Sequence, residues 1–480
     1  MREYDLSLWE MPVSEQKTTS IQIEKFIIDR ITSGVVRPGE PIPSHRSLAK
    51  LYGVNRNTVL RAYTKLIGGG WLLHSKGSKA VVGNRASAKS GGNFTAMPEL
   101  LPTGLPTAQQ ESATLLGYRR IGFVALGQPF LSSPSAFAKA MDRHGRRSEF
   151  SGANGGVSER LGMEILTQLN QRKFNILQEH LMVIRGRSEC MRCIFGVLCA
   201  PGEVVINTAP WDKLIHSVLG DRLLKVANLE VTEAGFLTQL EQLVVKTNCR
   251  AVYLRPGCSF PNCTHLDEAS CLALIALAKR YGFYIIEEDD DHEFWWGKYP
   301  YKPMAQYSHD GHVVYCGALS RTTVYFQHLR TVIGAAQLTE RLGRFCNGNF
   351  GFRDYQQEQA LTGLLSDNEL LFFSRQARMQ KLKDRNSLHE LLQLQLKEYV
   401  RYELPECGTG LWVEFKGNTD TSKLFSRIAR DGQRIRPVVF PDSAGKTINH
   451  LRLDFSRFDL RECRQVAIKI REILKRSLKV

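Results

Sequence analysis

The sequence predicts a multidomain chain. An α-rich winged helix-turn-helix comes first, then a larger α/β unit on a mostly parallel sheet, then a C-terminal α+β subdomain. Three observations predict it. Residues 41–82 hold two short helical patterns separated at a glycine and followed by two apolar runs about a basic turn. From about Gly117, apolar β-rich runs alternate with helical patterns. Beyond about residue 374 a long helical stretch gives way to strands and a closing helix. A chain of 480 residues has room for roughly three domains with cores of their own.

Residues 1–19 read as a polar arm. Ile23, Phe26, Ile27 and Ile31 then give an amphipathic first helix. Ser44 is placed to cap a short second helix carrying Leu48, Leu51 and Tyr52 on one face. Gly53 ends that helix, Val54 plugs the turn, and Asn55 is placed to cap the third. There Val59, Ala62, Tyr63 and Leu66 share the packing face. Asn57, Arg61, Thr64 and Lys65 are expected to point away from it, with Arg56 and Thr58 in the first turn. Glycines 68–70 end the helix, and the apolar runs on either side of Lys76 and Lys79 predict a hairpin wing.

Charge narrows what such a face can do. From residue 41 to 98 there is no Asp or Glu, whereas Arg46, Lys50, Arg56, Arg61, Lys65, Lys76, Lys79, Arg85 and Lys89 are all basic. A groove-sized helix beside one-sided positive charge is the footprint of a double-stranded DNA reader. Guanidinium and amide groups on the third helix read base edges in the major groove, while the wing lysines neutralise phosphates. The formal charge of the whole chain, +16, fits an anionic partner.

Ser33-Gly34, Pro38-Gly39, Ile42-Pro43-Ser44, Arg46, Leu48-Ala49, residues 54–59 and Arg61-Ala62-Tyr63 resemble the GntR family of bacterial repressors, and the ending through Tyr63 resembles its MocR branch. The resemblance implies a head over residues 1–83. Ser44, Arg46, Asn55, Arg56, Asn57, Thr58, Arg61, Lys76 and Lys79 are its expected DNA-contacting residues. Residues 84–116, rich in Ser, Gly, Thr, Ala and Pro, read as a linker.

Residues 117–373 are expected to form the large domain and 374–480 the small subdomain. Strand candidates are 181–184, 204–206, 226–231, 251–254, 283–286, 313–315 and 332–335, then 411–415, 438–440 and 451–455. Residues 265–281 and the stretch from Leu460 read as helices. This order resembles the fold-type I aminotransferases, whose fold MocR regulators carry behind their GntR head, and the resemblance implies a seven-stranded sheet. Several segments match that family. Gly186-Arg187-Ser188-Glu189 resembles its turn beneath the cofactor phosphate, and Pro256 with Phe260-Pro261 its proline-rich loop. Residues 287–294 resemble its acidic strand end, Gly317-Ala318-Leu319-Ser320-Arg321 its Gly-Thr-Phe-Ser-Lys segment, and residues 451–455 its carboxylate-binding segment.

What the resemblance implies is altered at the reacting residue. Pyridoxal phosphate chemistry needs a lysine amine to attack the aldehyde. This sequence offers Arg321, whose guanidinium stays protonated. Glu288 stands where the pyridine nitrogen's carboxylate partner is expected, and Asp290 where a tyrosine is expected. That substitution predicts negative charge gathering around an anionic molecule. The expectation is therefore no covalent pyridoxal phosphate, no catalytic residue, and a degenerate pocket of Ser188, Glu288, Asp290, Ser320, Arg321, Arg330 and Arg452. Arg321, Arg330 and Arg452 are candidate holders of a small anionic effector. The residues alone leave other readings open: a solvated strand end for 287–291, an across-sheet ion pair for Arg452, and a structural ion pair for Arg321.

The eleven cysteines form no staple-like framework. Neither Cys190-x-x-Cys193 with Cys199 nor Cys258-x4-Cys263 has a second pair at ligand spacing. Buried free thiols in a reducing compartment are expected, with no metal. No apolar run reaches membrane-spanning length, and the first ten residues are too polar for a signal peptide. A cytoplasmic protein is expected, with a head-to-tail homodimer implied by the MocR resemblance.

Overall fold

Side-chain caps lay out the head. Thr19 and Gln22 close a reciprocal capping box at the start of α1 (Ser20–Thr32). Ser44 Oγ accepts from Ser47 N at 3.1 Å and opens α2 (His45–Leu51). Gly53 then takes φ +63°, a turn conformation that costs a glycine little. Asn55 Oδ1 accepts from Asn57 N at 2.9 Å, starting α3 (Arg56–Gly68). Ile23, Ile27, Leu48, Val59, Ala62 and Leu66 interlock as one buried core. The wing strands β1 (Leu72–Leu73) and β2 (Val81–Val82) pair antiparallel.

The computed structural model describes residues 6–11, 18–33, 35–37, 39–68, 71–73, 80–83, 134–144, 153–154, 156–231, 235–322, 326, 328–346, 355–417, 419, 424, 449–456 and 460–477. The linker, Lys76, Lys79 and the strand expected at 438–440 lie outside the described residues.

The body begins with α4 (Pro134–His144), the short pair β3 (Ala153–Asn154) and β4 (Val157–Ser158), and α5 (Glu159–Gln171). Strands and helices then alternate as β5 (Leu181–Arg185), α6 (Arg187–Leu198), β6 (Val204–Asn207), α7 (Lys213–Asp221), β7 (Lys225–Asn228), α8 (Phe236–Thr247), β8 (Ala251–Leu254), α9 (Glu268–Tyr281), β9 (Tyr284–Glu288), β10 (Val313–Ala318) and β11 (Leu329–Ile333). They form a seven-stranded sheet ordered β5-β11-β10-β9-β8-β6-β7, in which β11 runs antiparallel to both of its neighbours. Alternate residues feed opposite faces. Val252, Leu254 and Ile285 pack beneath α5, α8 and α9. Tyr253, Tyr284 and Ile286 pack beneath α6, α7 and α10 (Ala336–Cys346). Helices on both faces explain why these strands read as continuous apolar runs.

Helices α11 (Tyr355–Ser366) and α12 (Glu369–Leu396) lead into the small subdomain, and α12 spans residue 374. Strands β12 (Val400–Arg401), β13 (Gly410–Phe415) and β14 (His450–Asp454) form its antiparallel sheet, backed by α13 (Leu460–Ser477). The segment that follows β9 and this subdomain are stitched together by Gly408 N donating to Phe294 O at 2.9 Å and Trp296 N to Glu406 O at 2.7 Å. All eleven cysteines are free, and ten of them are buried.

Candidate functional site

Two regions carry the chemistry. On the head, Val59 and Ala62 are fully buried while Arg56, Asn57, Arg61 and Thr64 are exposed on the opposite side of α3. Arg46 and Lys50 are exposed on α2, and Thr58 is half-buried. Ser44 and Asn55 spend their side-chain oxygens on helix caps, which orient α2 and α3 with respect to each other.

Lys65 corrects the expectation from helical spacing. It does not stand with Arg61 and Thr64 as an open cation. Its Nζ lies 2.8 Å from Glu164 Oε1 on α5 and 3.7 Å from Glu24 Oε1 on α1. The acid-free stretch of sequence concealed this, because both partners come from outside it.

The second region lies at the C-terminal ends of β8, β9 and β10, where open α/β sheets present their ligand crevice. The acidic run expected as a possible solvated end is buried here: Glu287, Glu288, Asp289 and Asp291 are each under a tenth exposed. Glu288 is held by Arg187, at the start of α6. It donates to both Glu288 oxygens at 2.6 and 2.5 Å and to both Asp212 oxygens at 3.2 and 2.6 Å. Tyr253 OH donates to Glu288 Oε2 at 2.5 Å. From the other side Arg330 meets Glu288 at 2.7 Å and Asp290 at 2.5 Å. Arg255 holds one Asp291 oxygen at 3.0 Å and Arg321 donates to the other.

Charge is thus matched inside the site. The guanidinium groups of Arg187, Arg255, Arg321 and Arg330 meet the carboxylates of Asp212, Glu288, Asp290 and Asp291. The expected accumulation of negative charge does not occur, because Arg187 and Arg255 supply cations that the sequence reading did not place there. Burial alone would raise the Glu288 carboxyl, yet Arg187 and Arg330 outweigh it and hold the group below its ordinary value. Asp290 is also lowered against its burial, chiefly by Arg330. Among the described residues no arginine pairs with Glu287: burial, then Asp289, pushes it up to about 8, while backbone N–H groups of Met304 and Ala305 serve its oxygens.

Arg321, Arg330 and Arg452, the expected holders of an anion, each donate to acceptors of the chain itself. Arg452 donates to Pro261 O at 2.9 Å and Cys263 Sγ at 2.5 Å, and its nearest acid is Asp454, 3.6 Å away on its own strand rather than across the sheet. Ser320 Oγ donates to Glu293 Oε1 at 2.8 Å, and the Arg321 backbone N–H donates to the other Glu293 oxygen at 2.7 Å. Ser188 sits in the first turn of α6, beside Arg187 and half-buried. Asp212, Tyr253 and Arg255 gave no signal as site residues, and Glu293 stood in the recognised acidic segment without an assigned role; their partners lie tens of residues away.

A helix-turn-helix head ahead of an aminotransferase-like body is similar in architecture to the MocR-type DNA-binding regulators. Residues 19–82 match the family model described as "Bacterial regulatory proteins, gntR family". Over 474 residues the chain is 23% identical to the "Uncharacterized HTH-type transcriptional regulator YisV" of Bacillus subtilis, covering 94% of this chain and 95% of that one. It is 21% identical over 427 residues to the "Probable rhizopine catabolism regulatory protein MocR" of Rhizobium meliloti, covering 87% and 86%. The body has the fold of the kynurenine aminotransferase of Pyrococcus horikoshii, with a TM-score of 0.62 and 19% identity over 72% of this chain and 87% of that one. No helix among the described residues is long and apolar enough to cross a membrane.

Proposed function

We propose that this chain is a cytoplasmic transcription regulator, not an enzyme, that binds a double-stranded operator as a homodimer. The observation that carries the reading is α3, which exposes Arg56, Asn57 and Arg61 over a packing face of buried Val59, Ala62, Tyr63 and Leu66, in the segment that matches the gntR model. Arg56→Ala or Arg61→Ala is expected to lower discrimination between operator and random duplex, by about 1–3 kcal/mol for each contact that reads a base edge. Genomic footprinting supplies the operator, and fluorescence anisotropy against a scrambled duplex measures the ratio. Unchanged discrimination in both variants overturns this assignment of the reading face. Sedimentation equilibrium of the full chain tests the dimer, and a stable monomer at micromolar concentration would refute it.

The body is assigned a non-catalytic role because its residues do not fit pyridoxal phosphate. Arg321 takes the position that the aminotransferase resemblance gives to the Schiff-base lysine, and its guanidinium is turned onto Asp291. Glu288, at the position of the pyridine-nitrogen partner, is already engaged by Arg187 and Arg330. A bound cofactor would have to break these buried pairs, and leaving a buried charge without its partner costs about 3–5 kcal/mol. A small anionic effector faces the same competition, since each arginine of the expected pocket already has an acceptor.

A further inference from the structure

We propose that the head is restrained by an autoinhibitory ion pair in which Glu164 of the body competes with DNA phosphate for the Lys65 ammonium. The inference rests on the DNA-binding reading of α3 and adds a regulatory contact to it. Lys65 lies in the last turn of that helix, one residue beyond exposed Thr64 and four beyond exposed Arg61. Its Nζ is 2.8 Å from Glu164 Oε1, and the three side chains of the cluster are 21% (Lys65), 12% (Glu164) and 18% (Glu24) exposed. An ammonium is a compact point charge. Paired with the Glu164 carboxylate, it contributes no net positive charge to the DNA-facing field at this end of α3.

The acid is fixed while the head is a separate unit. Helix α5 is capped by Ser158, whose backbone N–H donates to buried Glu358 at 2.7 Å, and Arg185 at the end of β5 holds the other Glu358 oxygen at 2.7 Å. Leu161, Ile165 and Leu166, around Glu164 on the same helix, are buried in the main core. Glu164 therefore cannot follow the head onto DNA. A phosphate oxygen and the Glu164 carboxylate are alternative ligands for one cation, so occupation by either weakens the other.

Two measurements on the full chain test this. Zero-length carbodiimide coupling, read by mass spectrometry, is expected to join Lys65 to Glu164, with Lys279–Asp310, 2.7 Å apart on the body, as internal reference. Excess duplex is expected to suppress the first link and leave the reference unchanged. In parallel, Glu164→Gln is expected to tighten binding to a random-sequence duplex several-fold at low salt. The slope of log affinity against log salt should be the same in wild type and Glu164→Gln, where Lys65 neutralises one phosphate in each complex, and shallower by about 0.9 in Lys65→Ala. Lys65→Ala removes the competed cation, so adding Glu164→Gln to it should change nothing. A reference link without the Lys65–Glu164 link overturns the docking. Equal affinity in wild type and Glu164→Gln overturns the competition. If no variant binds duplex at all, the regulator reading fails and the competition with it, whatever the cross-link shows.

Discussion

Arg321 illustrates how much a single side chain decides. A guanidinium offers no amine nucleophile, but its planar fork matches a carboxylate. Here the fork is used on Asp291, while the neighbouring backbone N–H is held by Glu293. Burial pulls the Arg321 guanidinium below its ordinary value, with Asp290 pulling the other way. No amine is created by that shift. Incubating the chain with pyridoxal phosphate and reducing with borohydride is therefore expected to leave no pyridoxyl group on the segment carrying Ser320 and Arg321. Mass spectrometry reads the result directly. A pyridoxyl-lysine elsewhere in the body, formed at stoichiometric cofactor, would mean that the site has been placed on the wrong segment. Arg321→Lys alone is not expected to restore transamination, since Glu288 remains locked between Arg187 and Arg330.

At the scale of elements, the site depends on how closely β10 approaches the end of β9. A Cβ on Gly317 would lie 2.3 Å from the Asp289 backbone carbonyl oxygen, and backbone cannot swing aside as a side chain can. Asp290 Oδ1 accepts from Ala318 N at 3.0 Å across the same gap. Gly317→Ala is thus expected to push the strands apart and destabilise the large domain by about 1–3 kcal/mol, the usual cost of overpacking, measurable as a lower urea midpoint. An unchanged midpoint would show that the gap can widen at no cost. The elements themselves were legible in sequence because their cues are local. Ser44, Gly53 and Asn55 act within a turn of where they stand. The apolar runs at 251–254 and 313–315 reflect burial on both faces of one sheet. The site was less legible because its chemistry is made of pairs. Arg187 stood inside a recognised segment, yet nothing near it announced Glu288, 101 residues away. Lys65 looked like an open cation for the same reason, with Glu164 99 residues distant. Helical spacing gives a residue's direction but not what another element brings to meet it.

At the scale of the whole molecule, the contact between head and body should respond to protons. Glu24 is pushed up to about 7 by burial first and by the nearby Glu164 carboxylate, against the pull of Lys65 and Arg160. The charged groups facing it are therefore Lys65 on α3 and Arg160 and Glu164 on α5. Undocking would expose Glu24 and remove Glu164, returning it toward its ordinary value of 4.5. A carboxyl raised in the docked form binds its proton more tightly there. Its contribution to docking is full below the ordinary value and is lost as pH rises through about 7. Between pH ~6 and ~8 the docking equilibrium should fall by about tenfold, one proton's worth of linkage. The yield of the Lys65–Glu164 cross-link measures it, each value taken as a ratio to that of Glu24→Gln at the same pH, which cancels the reagent's own pH dependence. The ratio is expected to decline across this range, and DNA affinity of the wild type to rise with it relative to Glu24→Gln. A ratio that stays constant would mean that Glu24 keeps the same proton affinity whether or not the head is docked, and that the restraint on Lys65 is independent of pH.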